Sequence, residues 1–113
     1  GGCMGLDITE QDGATIVALS GDVDLQTSPA VRQSLLECLE KHDNVVVDMS
    51  QVNYIDSSGV ASLVEAFQVS RKKGSSFALA HVSAAALRVL NLARLDKVFS
   101  IFESIEDAIE AGV

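Results

Sequence analysis

An aspartate and two adjacent serines stand where an apolar segment of the chain changes to helical spacing. The stretch reads VNYIDSSGVASLVEAF from Val52 to Phe67. Ser57 or Ser58 can cap the helix, because a short hydroxyl accepts a hydrogen bond from a backbone N–H that the first turn leaves unpaired. Free N–H groups and the positive end of the helix dipole also allow a phosphate to be held here. Gly59 adds space for another group to approach. On spacing alone, the cap is the favoured interpretation.

Other side chains capable of chemistry are scattered along the chain. Asp22 and Asp24 are predicted to lie in a loop after a strand, and Asp48 closes the apolar run VVVD. His42 and His81 have no evident triad partner in the sequence, and neither a GxSxG motif nor a glycine-rich phosphate loop is present. The sequence therefore predicts no catalytic residue, no metal site and no cofactor, and we do not expect an enzyme.

The charge balance narrows the class of partner. Sixteen acidic residues against eight basic ones give the 113 residues a formal net charge of −8. This argues against binding to nucleic acid or anionic lipid and favours a protein partner with a basic face. No apolar run approaches membrane-spanning length, and no signal-peptide pattern is present, so no direct membrane insertion is expected. Cys3 and Cys38 form no CxxC motif and are expected to be reduced thiols of a cytoplasmic protein.

Five segments have the composition of strands and four have that of helices. Two alternating segments flank Asp12-Gly13, which suits a hairpin turn, and the β-branched run Val45 to Val47 is expected to be the central strand. The later strands alternate with helices, which implies parallel pairing. The fold class is therefore α/β, with a mixed sheet of about five strands and about four helices. We predict a single domain over 6–113 after an N-terminal extension over 1–5, with strands at 6–10, 14–20, 45–47, 77–80 and 98–102, and helices at about 28–41, 58–73, 83–93 and 104–111.

Glycines and serines mark where these elements begin and end. Gly21 is expected to break the second strand, and Ser28, followed by a proline, is expected to cap the first helix. Gly74 is the predicted C-cap of the second helix. Ser83 and Ser104 are the predicted N-caps of the last two helices.

The second helix also carries candidate docking positions. Ser62, Glu65, Ala66 and Val69 are expected at exposed positions. Ala66 and Val69 either extend a partner-docking surface beside Ser57 or belong to the core.

The sequence Asp56-Ser57-Ser58-Gly59, between a hydrophobic strand and an amphipathic helix in a small acidic domain, resembles the STAS domain of bacterial anti-sigma factor antagonists. The resemblance extends from about residue 6 to residue 109. It includes SGDVD at 20–24, VVVDMS at 45–50 and SIEDAI at 104–109. A STAS-like mixed sheet agrees with the element pattern above.

The resemblance implies a role for the first serine. In that family the serine directly after the aspartate is phosphorylated by the anti-sigma factor, which is itself a serine kinase; here that position is Ser57, with Ser58 as the less favoured acceptor. Asp56 belongs by resemblance to the recognition loop, although the residues alone allow a simple cap of the turn. The resemblance therefore favours Ser57 as a phosphorylation site over Ser57 as a helix cap.

The acids that follow the second strand gain a role in the same way. Similar proteins have a Gly-x-Leu-Asp segment near the phosphorylation loop, which corresponds here to Gly21 to Asp24 with Val23 in place of leucine. Without the resemblance, these acids are solvated loop residues. The partner-binding residues that the resemblance implies are Asp22, Asp24, Asp56, Ser57, Ser58 and Gly59.

The function that follows is a regulatory switch. The unphosphorylated domain is expected to bind an anti-sigma serine kinase and free a sigma factor, until phosphorylation of Ser57 ends binding and a phosphatase restores it. The alternative is a constitutive STAS accessory subunit of a membrane transporter, such as an ABC lipid-transport complex. A receiver domain phosphorylated at Asp48 is disfavoured, because Lys97 precedes rather than follows the late strand.

Overall fold

The computed structural model describes residues 4–112, which form one five-stranded mixed sheet with helices on both faces. Cys3, whose redox state was predicted, lies outside the described residues. The strand order along the sheet is β1-β2-β3-β4-β5, with β1 antiparallel to β2 and every later neighbour parallel. The elements are β1 (Met4–Gln11), β2 (Ala14–Val23), α1 (Ser28–Lys41), β3 (Asn44–Ile55), α2 (Ser57–Lys73), β4 (Ser76–Ala80), α3 (Ala84–Leu92), a 3₁₀ turn (Leu95–Lys97), β5 (Ser100–Phe102) and α4 (Ile105–Glu110).

The predicted fold class is confirmed. The hairpin turns at Asp12-Gly13, both residues with positive φ, and the β-branched run of β3 occupies the middle of the sheet. Side chains alternate across β3, because successive residues of a strand point to opposite faces. Val45 and Val47 join the larger core cluster under α1, α2 and α3, whereas Val46 joins the smaller one under α4.

Several strand boundaries differ from the sequence prediction. The central strand, expected at 45–47, runs on to Ile55, and β1 begins at Met4 rather than at residue 6. Gly21 does not break the second strand, which continues to Val23. Gly21 instead has a φ of +81°, and the pairing of β2 with β3 shifts register next to it. Asp22 therefore lies within β2 rather than in a loop. The last strand is shorter than predicted, because residues 98 and 99 precede β5.

The first helix begins without the predicted serine cap. Ser28 is already the first helical residue, and the N-cap is Thr27, whose side chain makes no cap hydrogen bond. Three other predicted ends are confirmed: Gly74, with a φ of 75°, is the C-cap of α2, and Ser83 and Ser104 cap α3 and α4 by accepting backbone N–H groups of Ala86 and Asp107.

The helix α2 is more deeply buried than its sequence suggested. Ser62 and Ala66, predicted at exposed positions, are only 6% and 0% exposed. Ser62 donates its hydroxyl to the carbonyl of Ser28 at 3.2 Å, so this face of α2 packs on α1. Val69 packs against the main core cluster. The interpretation of Ala66 and Val69 as core is therefore the correct one.

Candidate functional site

The predicted site residues meet at the carboxyl ends of β2 and β3. These two strands are parallel, and their register places Asp22 opposite Tyr54 and Val23 opposite Ile55. The backbone N–H of Asp56 donates to the carbonyl of Val23 at 3.1 Å, which joins the start of α2 to the end of β2. Because the carboxyl ends of parallel strands lie at one edge of a sheet, the two acidic segments that are distant in sequence become neighbours.

Asp56 is the N-cap of α2. Its backbone is extended, with φ −109° and ψ −172°, and its carboxylate accepts the N–H groups of Ser58 at 2.9 Å and Gly59 at 3.1 Å. A carboxylate at this position satisfies orphan N–H groups and complements the helix dipole. The prediction that Ser57 or Ser58 caps the helix is wrong, and the open alternative of Asp56 as the cap is confirmed.

The two serines occupy different surroundings. Ser57 is exposed at the first helical position, whereas Ser58 is half-buried and its carbonyl accepts the Ser62 hydroxyl at 3.2 Å. The first turn of α2 contains no acidic residue. A phosphate on Ser57 would therefore meet the positive end of the helix dipole, with Asp56 as the adjacent negative charge.

Gly59 provides a close approach between α2 and the sheet. A Cβ placed on it would lie 2.7 Å from Cγ1 of Ile55 and 2.8 Å from both Cγ1 and the carbonyl oxygen of Val23. At such distances the added Cβ would clash with its neighbours. One of these neighbours, the Val23 carbonyl oxygen, belongs to the backbone and cannot move aside easily. The sequence indicated a need for space at this glycine, and the structure identifies the neighbours that require it.

Asp24 organises the connection from β2 to α1. Its carboxylate accepts the N–H of Gln26 at 2.9 Å and of Thr27 at 3.1 Å. The Thr27 hydroxyl donates to the carbonyl of Asp22 at 2.8 Å and accepts the N–H of Asp24 at 2.9 Å. The Thr27 N–H does most to lower the pKa of Asp24 below its ordinary value; burial opposes this by a smaller amount, and the Gln26 N–H and Thr27 hydroxyl add to the lowering.

An apolar groove, which the sequence analysis missed, runs between α2 and α3 from Ser57. We call it the α2–α3 groove; it has a volume of about 700 Å³ and is lined by Ser57, Val60, Ala61, Val64, Glu65, Gln68, Val89 and Ala93. Helical spacing made these side chains candidates for a helix face. It could not show that the faces of two separate helices meet beside Ser57.

A neighbouring face of α2, across the ridge formed by Ala61 and Glu65, is more polar. A second groove, the α1–α2 groove, is lined by Ser58 rather than Ser57 and holds Arg32 and Glu65. The Arg32 guanidinium contacts the Glu65 carboxylate at 2.7 Å, and this hydrogen-bonded partner lowers the pKa of Glu65. Each serine therefore opens onto a different groove.

A metal centre, a membrane span and a receiver-type phosphorylation site are the other kinds of site that bear on function. Within residues 4–112, no group of three or more His, Cys, Asp or Glu side chains is placed to hold a metal ion. No helix in the described part of the chain is long and apolar enough to cross a membrane. Asp48 lies inside β3, paired with Ala80, and not at the strand end that a receiver domain would require.

Comparisons with known proteins bear on this site. Residues 5–108 match the family model described as STAS domain. The anti-sigma F factor antagonist of Paenibacillus polymyxa is 26% identical over 106 residues, which cover 92% of this chain and 91% of that protein. The crystal structure of an anti-sigma factor antagonist from Mycobacterium paratuberculosis has a TM-score of 0.85 at 27% identity, covering 96% of this chain and 93% of that chain.

The fold also occurs in a protein of another kind. The crystal structure of a sulfate transporter family protein from Wolinella succinogenes has a TM-score of 0.76 at 21% identity, covering 91% of this chain and 87% of that chain. At this level of identity the likeness concerns the fold alone.

Proposed function

The chain belongs to the STAS domain family, and we propose that it acts there as an anti-sigma factor antagonist. In its unphosphorylated form it binds an anti-sigma serine kinase and thereby frees a sigma factor. The kinase phosphorylates Ser57, which ends binding, and a separate phosphatase removes the phosphate. The chain itself supplies a docking surface and a hydroxyl, and the chemistry on that hydroxyl comes from its partners in the cytoplasm.

The observation that carries the proposal is that Asp56, and not Ser57, caps α2. Because the Asp56 carboxylate caps α2, the exposed Ser57 hydroxyl is not required for the cap and is available to a kinase. Ser58 is less suitable as an acceptor, since it is half-buried and lies on the α1–α2 side of the helix. The names of the relatives, which are antagonists of anti-sigma factors, support the same function.

The proposed docking surface consists of residues from both strand ends. The N–H of Asp56 donates to the Val23 carbonyl and holds the two segments together, so a partner that reaches Ser57 also meets Asp22 and Asp24 at the end of β2. A net charge of −8 favours a partner with a basic face. The surface comprises Asp22, Asp24, Asp56, Ser57 and Ser58, and the buried Gly59 contributes by allowing the close approach of α2 to β2 beneath it.

Phosphorylation is expected to act at this surface without refolding the domain. The helix dipole favours a phosphate on Ser57 by about 0.3–1 kcal/mol, and the Asp56 carboxylate repels it by a similar amount. Asp56 already holds two N–H groups of the first turn, so the phosphate has few vacant donors to recruit there. The added charge and bulk therefore weaken docking directly.

The phosphorylation step is tested by incubating the purified protein with ATP and a lysate of the native host. Phosphopeptide mass spectrometry should locate phosphate on Ser57 of the wild type. Ser57→Ala should abolish the modification, and the matched variant Ser58→Ala should retain it, because the cap uses the N–H of residue 58 and not its side chain. Phosphate on Ser58 alone, or none on the wild type, would contradict the proposal.

The binding step is tested by affinity capture from the same lysate with the wild type and Ser57→Asp. We expect the wild type to retain a small kinase-like protein that Ser57→Asp loses. Equal recovery of a transporter ATPase by both proteins would instead favour a role as an accessory subunit of a transporter. A sulfate transporter family protein has the same fold. Ser57 would then be a surface residue at the start of a helix.

A further inference from the structure

Ser83 connects α3 to the part of β3 that leads to Ser57. The strand β4 pairs with β3 only as far as Asp48, yet β3 continues to Ile55. Beyond Asp48, on the β4 side, β3 therefore lacks a strand to bind its backbone groups. Ser83 supplies two of these bonds: its hydroxyl donates to the carbonyl of Val52 at 2.7 Å, and its N–H donates to the carbonyl of Met49 at 3.2 Å.

The same hydroxyl also begins α3. It accepts the N–H of Ala86 at 3.2 Å, as an N-cap does. One oxygen therefore fixes both the start of α3 and its attachment to β3. The helix α3 has nine residues, of which Ala86 and Leu90 are fully buried in the core. The two bonds from Ser83 add polar contacts that tie the start of the helix to β3.

The position of α3 determines the shape of the α2–α3 groove. Val89 and Ala93, from α3 and its C-cap, form one wall, and Val60 and Val64 of α2 form the other. Ser57 lies at the lip of this groove. An enzyme that transfers phosphate to Ser57 must cover the lip, and an apolar groove that begins at the acceptor provides the contact area for it.

We propose that Ser83 is a positioning residue for the modification of Ser57: it holds α3 against β3 and so sets the groove on which the Ser57 kinase docks. This inference rests on the proposed function and deepens it by extending the kinase contact from Ser57 along the α2–α3 groove. A displaced groove wall weakens docking of the kinase, because well-packed apolar contacts carry most of the binding energy of an interface.

The test compares three variants in the lysate phosphorylation assay, with the concentration of the purified protein varied. Ser83→Ala removes the hydroxyl, and Ser83→Thr keeps it. Ser104→Ala removes an equivalent cap from α4, where the hydroxyl accepts the Asp107 N–H at 3.0 Å. The helix α4 packs on the other face of the sheet from α3. Circular dichroism verifies that each variant is folded.

We expect Ser83→Ala to raise the apparent KM for Ser57 phosphorylation roughly tenfold, with a smaller change in the maximal rate. Ser83→Thr should restore the KM, and Ser104→Ala should leave it unchanged. In amide NMR spectra, Ser83→Ala should shift the signals of Ser57, Val60 and Val64, whereas Ser104→Ala should not.

The outcomes separate this inference from the proposed function. Equal KM values for the wild type and Ser83→Ala would overturn the inference and leave the proposed function intact. Unshifted amide signals at Ser57, Val60 and Val64 in Ser83→Ala would also overturn it, without reference to any kinase. No phosphate on Ser57 of the wild type would overturn the proposed function and the inference together.

Discussion

The helices α1 and α2 begin differently, although each follows a strand that ends at the same edge of the sheet. One residue, Asp56, separates β3 from α2, and its carboxylate caps the helix. Four residues, 24–27, separate β2 from α1, and there the Asp24 carboxylate closes a turn before the helix begins. The same residue type therefore fixes a helix start in one case and a loop in the other.

The difference explains why, of these two helices, α2 is the one whose first residue exposes its hydroxyl. A one-residue connection leaves no freedom between strand and helix, so Ser57 is held at a defined place at the sheet edge. At α1, the corresponding first helical residue is Ser28, which is only 6% exposed. The start of α2 thus combines exposure with rigidity, which suits a residue that a partner must recognise and modify.

The largest effect is expected from filling the space at Gly59. Gly59→Ala places a Cβ within 2.8 Å of the Val23 carbonyl oxygen, and overpacking against backbone outweighs the gain in helix propensity. The expected net loss in the free energy of unfolding is about 2 kcal/mol, measured by urea denaturation.

The matched control lies at the corresponding third position of α1, where Ala30 is exposed. Ala30→Val should change the stability by less than about 0.5 kcal/mol. Equal losses in the two variants would show that the start of α2 is no more tightly packed than that of α1.

A smaller effect is expected from removing the cap of α2. Asp56→Ala leaves the N–H groups of Ser58 and Gly59 without their carboxylate and should cost about 1 kcal/mol of stability. Asp56→Asn retains a side-chain oxygen and should recover most of the loss. Thermal and urea unfolding of both variants measure the difference.

The control for this cap is Ser28→Ala. The structure gives Ser28 no capping role, and alanine has the higher helix propensity, so the loss of its hydroxyl should cost less than about 0.5 kcal/mol. A cost as large as that of Asp56→Ala would restore the sequence-based prediction that Ser28 caps α1.

The sequence predicted elements more reliably than it predicted their ends. Apolar periodicity depends on which face is buried, so the five strands and four helices were found from it. Local sequence cannot choose between a serine and Asp56 as the cap of α2, because aspartate and serine both cap helices and the end of β3 depends on its pairing with β2. The sequence cannot tell whether Gly21 ends the strand or marks a bulge within it, since a glycine in a strand is typical of either.

The burial of side chains on α2 could not be predicted from the sequence of that helix alone. Ser62 is polar, yet it is buried because its hydroxyl finds the Ser28 carbonyl on α1. The α2–α3 groove was missed for the same physical reason: it is formed by two helices that are brought side by side only by packing on the same face of the sheet. The location of the Asp-Ser-Ser-Gly segment between a strand and a helix, in contrast, could be predicted from the neighbouring residues alone.

The smallest effect concerns the loop at the start of α1 and depends on pH. Because hydrogen bonds from Thr27 and Gln26 lower the pKa of Asp24 below its ordinary value of 3.8, the folded protein binds fewer protons at this carboxylate than the unfolded chain does. The stabilisation is therefore fully present above about pH 4 to 5 and is lost as the pH falls through the lowered pKa of the folded state. Asp24→Asn removes this titration, so the difference in stability between the wild type and the variant should shrink as urea denaturation is repeated at decreasing pH. A difference that stays constant through the acid range would mean that the Asp24 turn is held by its geometry and not by its charge.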